Sequence, residues 1–171
     1  MSKILSIWAA CRVRRWHTNW ELAGTDDRID GHSARVQRII LALHPAPTMA
    51  LMVAALVHDD GEYAVGDIPQ PAKAAMRSRE PEAWERFEAA EDDALAEVWA
   101  ESIDRLPHIT YRELLWLKFA DRLDAYIWAK MHGARMDRNG WPDALAWLEQ
   151  TSRRLGSNVR AELVAYLEAA A

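Results

Sequence analysis

The feature that most constrains this chain is the stretch from Met49 to Lys73, MALMVAALVHDDGEYAVGDIPQPAK. From Ala50 to Val57 no residue is polar. Such a run is too short to span a membrane, and it predicts a helix buried on every side, the middle of a core, running to His58. At its end His58 and Asp59 stand side by side, followed by Asp60, Glu62 and Asp67, with Gly61 and Gly66 where a regular helix stops. Carboxylates crowded at the mouth of an apolar core are costly unless something positive lies among them. A divalent cation is the simplest candidate.

The rest of the composition supports one domain over residues 1–171: half of the residues are hydrophobic, and nine are tryptophan, which suffices for a substantial core. Cys11 is the single cysteine, so no internal disulfide forms. The amino-terminal MSKILSIWAACRVRR carries most of its basic residues after the apolar segment, the reverse of a secretory signal, and predicts a cytoplasmic protein with no membrane partner. A formal charge of −5 argues against a surface for polymeric DNA or RNA, while leaving room for a small anionic ligand in a local basic pocket.

Along the chain, residues 3–13 predict a short amphipathic helix, and Arg14 to Asn19 and the polar GTDDRID read as loop. A second helix is expected from about Gly31, with His32 in its first turn and Val36, Ile39, Ile40 and Leu43 on one face. Thr48 is a plausible N-cap for the apolar helix. Beyond Asp67-Ile68-Pro69 comes a short helical piece around Lys73, then a longer helix opening on Pro81 and passing through Trp84, Phe87, Leu95, Val98 and Trp99, with Glu91-Asp92-Asp93 as its solvated face. Pro107 interrupts the pattern. Thr110 and Glu113 match a capping box for a helix to about His132, Trp141-Pro142 opens another, and Ser157 begins the last. Nothing alternates convincingly with a period of two, so the fold class is all-α.

The helix from Thr110 holds one anomaly. At ~100° per residue Leu114, Leu117, Asp121, Ala125 and Trp128 share one stripe, which places a carboxylate in the middle of the face that should be buried. Such a group protonates or finds a partner. The pattern leaves two partners open, an arginine in a salt bridge or the cation held by His58 and Asp59.

Taken together, His32, the His58-Asp59 pair and Asp121 give the order H, HD, D, and each stands on or at the end of a helix. Around them lie HS at 32–33, ALVHDDGE ending at Glu62, GDIPQPAK from Gly66 to Lys73, and LKFADRLDAY around Asp121. These words resemble the HD-domain phosphohydrolase superfamily, in the branch that holds bacterial 5′-deoxynucleotidases and small phage dATP triphosphohydrolases. The resemblance runs from Arg15-Trp16 to about Trp128. It implies a compact helical bundle in which His32, His58, Asp59 and Asp121 bind one divalent metal ion, with Glu62 and Asp67 as catalytic acids and Arg15, Trp16, Pro69 and Lys73 as nucleotide contacts. It also implies homo-oligomers.

Two imidazoles and two carboxylates leave a six-coordinate ion with open positions and select weakly among Co²⁺, Zn²⁺, Mn²⁺ and Fe²⁺. The resemblance implies one ion rather than two, because HD proteins with two metal ions generally need further histidines between the HD pair and the last Asp, and here that interval contains only His108. HDDGEYAVGD lacks the HD-GYP signature of cyclic-dinucleotide phosphodiesterases. The function implied is hydrolysis of a deoxynucleotide at its α-phosphate, releasing either phosphate or triphosphate. A catalytically silent nucleotide-binding regulatory module is the alternative, against which the intact Glu62 and Asp67 speak. His17, His44, His108 and His132 read as surface or helix-end residues, and Trp84, Trp99, Trp116, Trp128, Trp141 and Trp147 as packing.

Overall fold

The structure, a computed structural model, describes residues 2–99 and 108–170, so the expected break at Pro107 lies outside the described residues. Among these residues it is all-α, with no named strand. The elements are α1 (Lys3–Cys11), α2 (Ile29–Leu43), α3 (Met49–Val57), α4 (Glu62–Val65), α5 (Gln70–Arg79), α6 (Pro81–Trp99), α7 (Tyr111–Met131), α8 (Trp141–Leu155) and α9 (Ser157–Ala169). No helix among them is long and apolar enough to cross a membrane.

Local chemistry explains most of the boundaries. Thr48 caps α3 by accepting from the Leu51 N–H at 3.1 Å. Thr110 and Glu113 form the complete capping box of α7: the Thr110 hydroxyl oxygen accepts from the Glu113 N–H at 3.2 Å, and the Glu113 carboxylate accepts from the Thr110 N–H at 2.7 Å. Glu113 also accepts from the Thr48 hydroxyl, tying the starts of α3 and α7 together. Between α8 and α9, Gly156 takes φ 148°, a conformation open chiefly to glycine, and the chain turns there.

Two expectations about α2 and α3 need correction. Helix α2 begins at Ile29 rather than near Gly31, because the chain before it is held straight by pairing: Arg14 and Arg28 form an antiparallel bridge, and the Ile29 N–H donates to the Val13 carbonyl at 3.2 Å. The last two residues of GTDDRID are therefore helical. Helix α3 is not buried on every side. Leu51, Ala55 and Val57 face the core, whereas Met49 is 77% and Leu56 46% exposed. It also ends at Val57, with His58 as its cap.

The main core lies among α2, α3, α7, α8 and α9, filled by Val36, Ile40, Leu51, Phe119, Leu148 and Val159, all fully buried. Helix α7 runs through its middle, packing on α2, α3 and α8. Helix α6 gathers α1, α4 and α5 on the other side, and α1 joins the two groups by touching α2. The segment from His58 to Lys73 links α3 of the first group to α4 and α5 of the second.

Candidate metal centre

His32 lies in the first turns of α2 with no exposed surface. Its Nδ1 is 2.7 Å from Asp124 Oδ2. A carboxylate can only accept, so the proton of this bond sits on Nδ1 and Nε2 faces the other way. His58, capping α3, shows the same arrangement: its Nδ1 is 3.0 Å from the Ala55 carbonyl, which again can only accept. Both Nε2 atoms are buried, and neither has a hydrogen-bond partner. The two rings stand 5.2 Å apart between centroids.

Carboxylates surround these two nitrogens. Asp59 Oδ2 is 3.4 Å and Asp121 Oδ1 3.2 Å from His32 Nε2, and Asp59 Oδ1 is 3.4 Å from His58 Nε2. His32, His58 and Asp59 each offer a ligand atom within 4.8 Å of the others. Asp121 stands outside that mutual set and approaches it from α7 beside His32. Its side chain is 39% exposed. The stripe on α7 thus brings Asp121 to an edge of the site that solvent reaches, where a sealed face was expected. Partial burial opposes ionisation of Asp121, but the adjacent His32 and the charges of His32, His58 and Arg15 outweigh it and hold its carboxyl well below the usual range. Burial and Arg15 oppose protonation of His32. The bond to Asp124 and the neighbouring carboxylates of Asp121 and Asp59 prevail and push it up to about 9. A nitrogen so placed holds a proton or a metal ion. The donor set could therefore hold a metal ion: two imidazole Nε2 atoms with pinned tautomers, no hydrogen-bond partners, and aspartate oxygens at both.

Glu62 opens α4 one turn beyond His58 and is 3% exposed. Burial, then Asp59 and Asp67, push its carboxyl up to about 9 against the pull of Lys73. Lys73 Nζ is 3.4 Å from Glu62 Oε1, while Oε2 is buried and unpartnered. Pro69 sits at the N-cap of α5, and its carbonyl accepts from the N–H of Lys73 at 3.1 Å. It thereby sets the helix that carries Lys73. The expectation of a wholly solvated Glu91-Asp92-Asp93 face fails at Glu91, whose carboxylate turns inward to 3.9 Å from Lys73 Nζ, while Asp92 and Asp93 are exposed.

Arg15 and Trp16 lie in the loop between α1 and α2. Trp16 has φ 66°, a left-handed conformation costing about 1–2 kcal/mol for a residue other than glycine. Two aspartates hold it there: its N–H donates to Asp67 Oδ2 at 3.1 Å and its indole N–H to Asp27 Oδ2 at 2.9 Å. Arg15, 9% exposed, donates to the same Asp27 oxygen at 3.3 Å. The structure thus joins Asp67 to Arg15-Trp16 through the tryptophan backbone.

Three residues that sequence reasoning passed over complete the arrangement. Asp27 and Asp124 are 1% and 3% exposed. Arg35 bridges them, donating through Nε to Asp124 Oδ1 at 2.6 Å and through Nη2 to Asp124 Oδ2 at 3.0 Å and Asp27 Oδ1 at 2.8 Å. The signal was present as paired spacings: His32 and Arg35 on α2, Asp121 and Asp124 on α7, each three apart and so on one helix face. The four other histidines do not join the site: His17 and His108 are exposed, His44 caps α2 against Trp116, and His132 caps α7 on Trp128. No protein-family model matches the sequence, and no characterised protein matches it.

Proposed function

We propose that this chain is a metal-dependent phosphohydrolase of the HD-domain type that cleaves deoxynucleotides at the α-phosphate. The observation that carries this reading is the pair of buried, unpartnered Nε2 atoms of His32 and His58 facing Asp59 and Asp121. These four side chains would hold the ion. When bound, it would polarise a phosphate oxygen and supply an acidified water.

The chain's own residues supply the remainder. Glu62, whose carboxyl burial and its acidic neighbours push up, stands one turn from His58, suited to positioning water or moving a proton. Lys73 and Arg15 bring positive charge to a site otherwise dominated by carboxylates, which an anionic substrate requires. Asp67, fixed by the Trp16 N–H, is suited to holding the sugar or the leaving oxygen. Trp16 offers a flat apolar surface beside the cationic end. Packing against C2′ would leave an added hydroxyl without a partner.

The test is incubation of the metal-loaded protein with a panel of deoxynucleotides and ribonucleotides, mono- and triphosphates, with chromatographic resolution of the products. The expected result is turnover with a preference for the deoxy form of at least ~10-fold in kcat/KM, about 1.4 kcal/mol. Triphosphate or phosphate among the products distinguishes the two hydrolases. Equal rates on ATP and dATP and on AMP and dAMP refute the deoxynucleotide specificity. Nucleotide and metal binding without turnover would instead indicate a regulatory module.

A further inference from the structure

We infer that Asp124 is a positioning residue for the metal centre, acting through His32, and that Arg35 fixes Asp124 for that task. The inference rests on the reading of His32 and His58 as metal ligands. The two imidazoles are oriented unequally: His58 by the neutral Ala55 carbonyl, His32 by the Asp124 carboxylate. A carboxylate behind an imidazole fixes the tautomer and makes the opposite nitrogen more basic, so His32 is built as the stronger donor. Asp124 cannot rotate away, because Arg35 spans both of its oxygens, at 2.6 and 3.0 Å. Arg35 in turn lies over the Trp128 ring, 4.4 Å from its centroid.

This arrangement makes Asp124→Asn informative. The carboxylate presents two acceptor oxygens, Oδ2 to His32 Nδ1 and Arg35 Nη2 and Oδ1 to Arg35 Nε, whereas an amide presents one acceptor and one donor. With its oxygen on His32 and Nη2, the amide meets Arg35 Nε with a second donor and brings no negative charge to the imidazole, so the clamp on residue 124 is loosened and His32 Nε2 becomes a weaker donor. Asp27→Asn is the matched control, since it alters an equally buried partner of the same arginine and does not touch His32.

Apo-protein is titrated with Co²⁺, and affinity and the visible absorption of the bound ion are read. Asp124→Asn should bind cobalt ~10–100-fold more weakly with an altered spectrum. Asp27→Asn, which disturbs Arg35 but keeps the Asp124 carboxylate on His32, should lose clearly less affinity than Asp124→Asn. Equal losses in the two variants, or undiminished affinity in Asp124→Asn, overturn the inference. Should Asp124→Asn fail to fold, ¹⁵N histidine spectra of the zinc-loaded wild type decide instead: His32 must carry its proton on Nδ1, and a proton on Nε2 overturns the assignment. Cobalt binding with these properties but no hydrolysis of any nucleotide removes the proposed activity and leaves the role of Asp124 standing. A wild type that binds no cobalt removes both.

Discussion

Gly61 separates Asp60 from Glu62 and has φ −65° and ψ −22°, ordinary helical values that alanine adopts without strain. Any effect of Gly61→Ala must therefore come from what the added methyl meets. A Cβ at this position falls against the carbonyl oxygen of Glu91, well inside the 3.0 Å that real Cβ contacts keep. The obstacle is backbone in the interior of α6, which cannot swing aside as a side chain would. Helix α6 is also fastened to this segment by the Trp99 indole, which donates to Asp60 Oδ2 at 3.0 Å. Forcing the two apart is an overpacking change worth about 1–3 kcal/mol. At about 2–4 °C per kcal/mol for a chain of this length, the melting temperature should fall by roughly 2–12 °C. Because the strain enters next to Glu62, kcat should fall as well, since displacements near 1 Å cost up to ~10²-fold. Gly24→Ala is the control: no atom lies within 4 Å of the methyl it would add, and its melting temperature should hold or rise slightly. The assay is thermal unfolding followed by circular dichroism. Melting temperatures for Gly61→Ala and Gly24→Ala that both match the wild type would show that α6 does not press on the HD segment.

Three further outcomes follow from the site and its supports. Asp59→Ala and Asp121→Ala should fold but retain almost no metal by elemental analysis, and stoichiometric metal in both would sink the ligand assignment. Glu62→Gln should keep its metal and lose activity by ~10²-fold or more, whereas activity within a few-fold of the wild type removes it from the chemistry. Glu113→Gln probes the joined caps of α3 and α7 through pH. Hydrogen bonds from the Thr48 hydroxyl and from the Thr110 backbone and hydroxyl hold the Glu113 carboxyl below its ordinary value, so its contribution is present above the usual glutamate range and is lost as pH falls through the lowered value. The melting-temperature gap between wild type and variant should be open at neutral pH and close in acid. A gap that does not change with pH would show that the charge of Glu113 contributes nothing.

What the sequence disclosed, and what it hid, follows from how far each signal reaches along the chain. Thr110 and Glu113 lie three residues apart, and their mutual bonding needs nothing beyond the first turn of α7, so the cap was legible in full. The starts of α6, α8 and α9 were legible for the same reason. The apolar run of α3 misled because it carries no polar residue to mark a solvent side; periodicity needs contrast, and a uniformly apolar helix of nine residues has none. Met49 and Leu56 face outward without any local mark to say so.

The site divides along the same line. The order of His32, His58-Asp59 and Asp121 could be read from the chain, but what holds His32 comes from a residue 92 positions away, and Arg35 reaches 89 positions to the same carboxylate. Each of these charged residues, taken singly, looks like an ordinary helix-surface group. Their meaning appears only when α2 and α7 lie side by side, because the three-residue spacing on one helix then meets the three-residue spacing on the other. His32 finds both Asp121 and Asp124, and Arg35 finds Asp124. Two matched pairs on facing helices thus specify the orientation of His32, where His58 needs only the Ala55 carbonyl three residues before it. Across the two helices His32 meets Asp121 as the proposed metal ligands, and Arg35 meets Asp124 to place the proton on Nδ1 and free Nε2.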